Sequence, residues 1–208
     1  MGKLQIKTVV LSMCATNCYL VTNKETGELL VIDPADAPER LIREIDGLKV
    51  QPKAILLTHG HFDHIGAAMK LKEHYSIPIY AHTAEKEILE SVDNNLSLMC
   101  GCGYTASADH YLVDQQELTL AGFEIRAIHT PGHTIGGCCY YFETEGVLFA
   151  GDTLFRCSVG RTDFPTGSMK QIHDSIHQKL FVLPEETVVY PGHDQPTDIK
   201  YEKMFNPY

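Results

Sequence analysis

Apolar residues fall along this chain in short runs of two periods, and the switching between them predicts the order of elements. Residues 4–9 alternate apolar and polar side chains, which predicts a strand with one wet face. Residues 17–22 predict a second strand, and a turn over 23–27 leads into a third at 29–33, Leu29-Leu30-Val31-Ile32-Asp33. Residues 37–45 place Leu41, Ile42 and Ile45 on one side of a helix. Ala54-Ile55-Leu56-Leu57 reads as a buried strand, and residues 65–72 return to helical spacing. A short strand at 77–81 follows, then a helix with Thr83 as its expected N-cap. Residues 93–108 carry no clean period, and Gly101-Cys102-Gly103-Tyr104 predicts a mobile loop bordering any site nearby. Strands are predicted at 117–120, 123–129, 138–142 and 147–150. An amphipathic helix over 169–180 presents Ile172, Ile176 and Leu180, and a last strand at 187–190 precedes a closing helix at 196–204. No linker, repeat or low-complexity tract interrupts this order, so one domain over residues 1–208 is expected. The periods alone give an α/β chain built in layers.

Charge and cysteine usage narrow the partners. The formal net charge of -10 argues against an electrostatic grip on a nucleic-acid backbone or an anionic membrane. The first residues show neither an apolar leader nor a myristoylation motif, and every apolar run is too short to span a bilayer. A cytoplasmic protein acting on a small molecule is the expectation. Seven cysteines form no disulfide framework, and neither Cys100-Gly101-Cys102 nor Cys138-Cys139 has redox spacing. They are expected to be reduced and mostly buried.

The chemistry is concentrated in Thr58-His59-Gly60-His61-Phe62-Asp63-His64, between the predicted strand at 54–57 and the predicted helix at 65–72. His59 and His61, two apart in an extended segment, point the same way and can grip one ion. Asp63 and His64 fall where the helix begins, so their direction changes, and the cluster can face two adjacent metals. Mixed nitrogen and oxygen ligands suit zinc, and also manganese or iron. Three more polar motifs follow apolar runs: Thr130-Pro131-Gly132-His133-Thr134, Ala150-Gly151-Asp152-Thr153-Leu154-Phe155 and Tyr190-Pro191-Gly192-His193. If those strands lie side by side, their loops open along one edge. No G-x-S-x-G segment offers a serine nucleophile, which leaves water as the economical attacking group.

These four motifs, in this order and over nearly the whole chain, resemble the metallo-β-lactamase superfamily, most closely its glyoxalase II-like (hydroxyacylglutathione hydrolase-like) branch. The resemblance implies a four-layer αββα sandwich and two divalent metal ions, zinc first among them. It implies that His59, His61 and His133 hold one ion, that Asp63, His64 and His193 hold the other, and that Asp152 bridges them. It further implies hydrolysis of an ester or thioester by a hydroxide shared between the ions, with Asp63 orienting it. The family also places an Asn and an Asp-Pro where Asn17 and Asp33-Pro34 stand, and Asp33 is expected either to order the ligands or to serve as an ordinary turn residue before Pro34.

The same resemblance bounds the substrate. Glyoxalase II enzymes continue into a basic C-terminal region, whereas 15 residues follow His193 here, with Lys200 and Lys203 their basic members. Weak dependence on the glutathione moiety is therefore expected. Arg161, in Gly160-Arg161-Thr162-Asp163-Phe164-Pro165, is a candidate for a substrate carboxylate, or an ion-pair partner for Asp163. A similar segment occurs in the mononuclear-iron persulfide dioxygenase branch, an alternative function of a different reaction class. β-Lactamases of the superfamily commonly have a thiolate where this chain has Asp152, which ranks that activity lower. His129 is expected to pack or to support a ligand, and His82, His110, His173 and His177 match no ligand position.

Overall fold

The computed structural model describes residues 2–208. The first half forms a six-stranded sheet of β1 (Leu4–Leu11), β2 (Thr16–Asn23), β3 (Glu28–Ile32), β4 (Gln51–Leu56), β5 (Ile79–His82) and β6 (His110–Leu112), paired in that order. Its helices are α1 (Pro38–Leu48), α2 (Phe62–Ile65), α3 (Ala68–Tyr75) and α4 (Lys86–Leu89). The second half adds β7 (Gln116–Leu120), β8 (Phe123–His129), β9 (Cys138–Phe142), β10 (Val147–Gly151), β11 (Leu154–Phe155), β12 (Ser158–Val159), β13 (Val188–Pro191) and β14 (Thr197–Asp198), with α5 (Met169–Ser175) and α6 (Ile199–Phe205). Here β14-β13-β10-β9-β8-β7 form the second six-stranded sheet, and β11 pairs β12 in a small hairpin.

The period-2 pattern distributes the core. In β3, Leu29 and Val31 face α1 and α3, meeting Leu41, Ile45 and Leu71, while Leu30 and Ile32 face the other sheet. In β9, Tyr140 and Phe142 fill the space between the sheets, and Cys139 and Tyr141 turn to Ile172 and Ile176. Strands buried on both faces read as continuous apolar runs, which is why 29–32 and 138–142 lack alternation. The result is helices, sheet, sheet, helices: an αββα sandwich. Each fully buried Leu, Ile or Phe contributes about 1.5–3 kcal/mol.

Several details depart from the sequence expectations. Thr83 is not the cap: the 3-10 turn Thr83–Glu85 starts one residue earlier, where His82 Nδ1 accepts from the Ala84 amide. The helix expected over 169–180 becomes α5 followed by a π turn, Ile176–Leu180, which keeps Ile176 and Leu180 inside. The 93–108 segment is irregular but tied down. The Tyr104 carbonyl accepts from Asn95 and Ser97, and the Tyr104 hydroxyl donates to the Phe62 carbonyl. All seven cysteines are free, but four of them (Cys14, Cys100, Cys102 and Cys157) are exposed rather than buried.

Two tyrosines anchor the loops that follow β4 and β13. Tyr140 donates to the Leu57 carbonyl at 2.8 Å and Tyr19 to the Pro191 carbonyl at 2.5 Å, both in the interior. Tyr140→Phe leaves that carbonyl without its partner, so a loss of about 1–3 kcal/mol in unfolding free energy is expected from urea denaturation. A change within about 0.5 kcal/mol, as for an exposed position, would show that the hydroxyl does not hold the loop.

Candidate metal centre

The four motifs occupy the C-terminal ends of β4, β8, β10 and β13 or the loops just beyond them. β8 and β10 both run antiparallel to β9, and β13 runs parallel to β10, so these three strands end at one edge. The first sheet is brought to the same edge by the Cys138 amide, which donates to the Thr58 carbonyl at 2.8 Å. The Asn17 amide donates to the Gly192 carbonyl at 2.7 Å. Gly192 has no alternative, because a Cβ there would lie 2.2 Å from Asp152 Oδ1 and 2.7 Å from the His64 ring.

All seven side chains singled out in the sequence meet there. The rings of His59, His61 and His133 lie 4.7–4.9 Å apart, centre to centre, each nearly perpendicular to the next. His61 Nδ1 and His133 Nε2 face each other at 2.9 Å. On the other side, Asp63 Oδ2 lies 3.4 Å from His193 Nε2 and 3.8 Å from His64 Nε2. Asp152 stands between the groups, with Oδ1 3.4 Å from His64 Nε2 and Oδ2 3.5 and 3.4 Å from His133 and His193 Nε2. Ligands about 2.0–2.1 Å from a tetrahedral ion sit about 3.3 Å from one another, which is the scale of these separations. The donor atoms form three sets within 4.8 Å: His59, His61 and His133; Asp63, His64 and His193; and His59, His64 and Asp152, which joins the other two.

The residues fit a divalent cation by a second observation. Among the described residues, eight buried side-chain polar atoms lack a hydrogen-bond partner, and Nε2 of His59, Nε2 of His64 and Oδ1 of Asp152 are three of them, while His61 turns its Nδ1 rather than its unpartnered Nε2 toward His133. Orphaned buried polar atoms are costly, and a cation removes that cost by coordination. Burial pushes His61 down to about 3 and His59 well below the ordinary range, so both imidazoles are neutral and have a lone pair to give. Burial would raise Asp63, but His64 and a hydrogen bond from His193 outweigh it and hold the carboxyl at about 2.

Ring orientation comes from the opposite nitrogens. His64 Nδ1 donates to Asp33 Oδ2 at 3.0 Å, His133 Nδ1 to the Arg161 carbonyl at 2.7 Å and His193 Nδ1 to the Cys14 carbonyl at 3.1 Å. His59 Nδ1 lies 3.2 Å from Thr58 Oγ1, which itself donates to Asp33 at 2.6 Å. These partners select the tautomer that leaves Nε2 for the centre. Asp33 therefore has the ordering role expected for it. Thr16, whose hydroxyl donates to Asp63 Oδ2 at 3.1 Å, and Glu85 were not identified from sequence. Neither belongs to a motif, and a glutamate opening a helix reads as a surface residue.

Arg161 touches the cluster through its backbone. Its guanidinium forms two bonds with Asp163, 2.7 and 2.6 Å, and lies 3.9 Å from the Phe164 ring centre. The ion-pair reading thus describes its contacts, made by an exposed pair. His129 stacks on His82 at 3.9 Å and bonds the Ile135 carbonyl, a packed residue outside the cluster. Asp33→Asn preserves shape and tolerates the left-handed backbone at that position (φ 48°), but opposes an NH2 group to one of its donors. Metal affinity, measured by chelator competition, is expected to fall about 10–100-fold with the far-ultraviolet dichroism unchanged. Affinity within twofold of the unmodified chain would remove Asp33 from the centre.

Comparison with known proteins agrees with this geometry. The profile of the metallo-beta-lactamase superfamily matches residues 11–193. The Haemophilus influenzae protein named hydroxyacylglutathione hydrolase GloC is 35% identical over 212 residues, covering 99% of this chain and 98% of its own length. Among solved structures, BLEG-1 B3 metallo-beta-lactamase superposes with a TM-score of 0.92 at 41% identity, covering 98% of each chain. TTHA1623, solved in a di-iron-bound form, superposes with a TM-score of 0.86 at 34% identity, covering 97% of this chain and 98% of that one. With its sandwich fold and its cluster of histidines and aspartates at one sheet edge, the chain belongs to the metallo-beta-lactamase superfamily.

Proposed function

We propose that this chain hydrolyses small thioesters, S-2-hydroxyacylglutathione or a close relative, with water as the nucleophile at a centre of two divalent cations, zinc foremost. The observation that carries the reading is the position of Asp152, whose two oxygens face donor atoms of both groups at once. His59, His61 and His133 would hold one ion and Asp63, His64 and His193 the other, with Asp152 shared. Such ions supply Lewis acidity toward a carbonyl and acidify water to near neutral pH.

The chain's own residues do the rest. Asp63, whose Oδ2 accepts from the Thr16 hydroxyl, would orient the attacking water. Burial keeps His59 and His61 neutral, and it would lower His64 and His193 as well, but Asp152 and Asp63 outweigh it and raise both, so those two imidazoles would lose their protons on taking up an ion. Phe164 packs on His61 and Phe155 on His193, at 5.9 and 6.1 Å between ring centres, and these rings keep bulk water off the ligands. The di-iron form of TTHA1623 supports room for two ions, and the GloC relative supports a thioester. GloC is matched over 98% of its length, so in that protein the named activity needs no long C-terminal extension. The expectation of weak glutathione dependence therefore loses its main ground, and S-lactoylglutathione becomes the first substrate to try.

Rates on S-lactoylglutathione, a chromogenic cephalosporin and glutathione persulfide, the last followed by oxygen uptake, separate the possible chemistries. The thioester is expected to exceed the cephalosporin in kcat/KM by at least about a hundredfold, about 2.7 kcal/mol, with no oxygen consumed. Oxygen uptake on the persulfide would favour the dioxygenase, and equal or faster cephalosporin cleavage a β-lactamase. Asp152→Ala is expected to lower turnover and metal content together, and further than His64→Ala or His193→Ala, because adjacent cations lose their shared screening charge. Normal turnover in Asp152→Ala would contradict the bridging role.

A further inference from the structure

Glu85 is an ionisable side chain buried completely, and among the described residues no cation stands beside it in the hydrogen-bond or ion-pair network. Its Oε2 accepts from the Gly60 amide at 3.0 Å, and its Oε1 accepts from the Gly136 amide at 3.0 Å and from the Thr134 hydroxyl. Every partner is a donor, a set that favours the carboxylate, while burial pushes the group up to about 7. The energetic cost of such a group suggests a role beyond filling space.

The partners identify that role. Gly60 lies between His59 and His61, and Thr134 follows His133. The first pair rides on the loop after β4 in one sheet, and His133 on the loop after β8 in the other. One carboxylate therefore joins the two loops that carry the three-histidine group. The packing is equally close. A Cβ on Gly60 would come within 2.9 Å of Ile88 Cγ2 and 3.0 Å of Glu85 Oε2, and one on Gly136 within 2.4 Å of the Glu85 amide nitrogen. The turn that bears Glu85 is thus wedged between both loops.

We propose that Glu85 is a positioning residue: its carboxylate sets the placement of His59 and His61 relative to His133, and so the affinity of that half of the centre for its ion. The proposal rests on the metal-binding reading of the cluster. Its rival is a buried glutamate that merely stabilises the fold, and the chain contains a control for that. Glu202 is also fully buried and accepts from three donors, the Thr197 hydroxyl, the Cys157 amide and the Asn206 side-chain amide, none of them on a loop that carries His59, His61 or His133.

Glu85→Gln, Thr134→Val and Glu202→Gln, each in the full chain, are compared for cobalt(II) affinity by chelator competition, for the visible absorption of the cobalt-loaded protein, and for unfolding midpoint. Glutamine has one acceptor oxygen for three donors, so Glu85→Gln is expected to weaken cobalt binding by about tenfold or more and to shift the absorption bands. Thr134→Val removes one donor, leaves the carboxylate and is expected to weaken binding by a smaller factor. Glu202→Gln is expected to lower the unfolding midpoint while binding cobalt within twofold of the unmodified chain. Unchanged affinity and spectrum in Thr134→Val and in folded Glu85→Gln would overturn the proposal, as would equal weakening by Glu202→Gln. If Glu85→Gln does not fold, Thr134→Val against Glu202→Gln decides alone. An unmodified chain that bound no cobalt would overturn the centre itself, a failure distinct from intact binding that ignores Glu85.

Discussion

Everything at the open edge of this sandwich answers to one constraint: buried polar atoms need partners. Seven ligand-type side chains crowd into a junction between two sheets, and their outward nitrogens are satisfied by carbonyls, Thr58 and Asp33. Their inward atoms are left facing one another, several with no hydrogen-bond partner. An apolar core offers nothing to such atoms, and water alone cannot neutralise two adjacent carboxylates. A cation meets both needs, and the backbone has been shaped to allow it. Gly192 approaches Asp152 as only a residue without a Cβ can, and Tyr19 and Tyr140 fix the carbonyls before the histidine-bearing turns.

Four of the seven cluster side chains were legible in the sequence because they are dense, and His133, Asp152 and His193 because their motifs resemble a known family's. Three imidazoles and a carboxylate within six residues, after an apolar run, signal coordination before any fold is known. The two sheets were legible for a related reason, since runs such as 29–32 and 138–142 have enough apolar residues to be recognised as interior. What escaped was short or distant. β11, β12 and β14 have two residues each, too few to show a period. Glu85 reaches the histidine-bearing loops across 25 to 51 positions of chain, and Thr16 reaches Asp63 across 47, through hydrogen bonds that no local pattern encodes. The 93–108 segment is irregular, as its lack of a period predicts, and Tyr104 reaches back from it to Phe62 beside the cluster.

Family membership supplies the fold and the type of site but not the substrate. Proteins with this sandwich include one named a hydroxyacylglutathione hydrolase and one named a β-lactamase, at 35% and 41% identity. At the rim of the cluster Arg161 pairs with Asp163, and Phe155 and Phe164 stand against the histidines.

Metal count and position test the central claim most directly. Anomalous diffraction from crystals of protein purified without chelator and saturated with zinc is expected to show two peaks per chain. One should lie among His59, His61 and His133, the other among Asp63, His64 and His193, with Asp152 in contact with both. A single peak at saturation, with one group of ligands left empty, would contradict a two-metal hydrolytic centre.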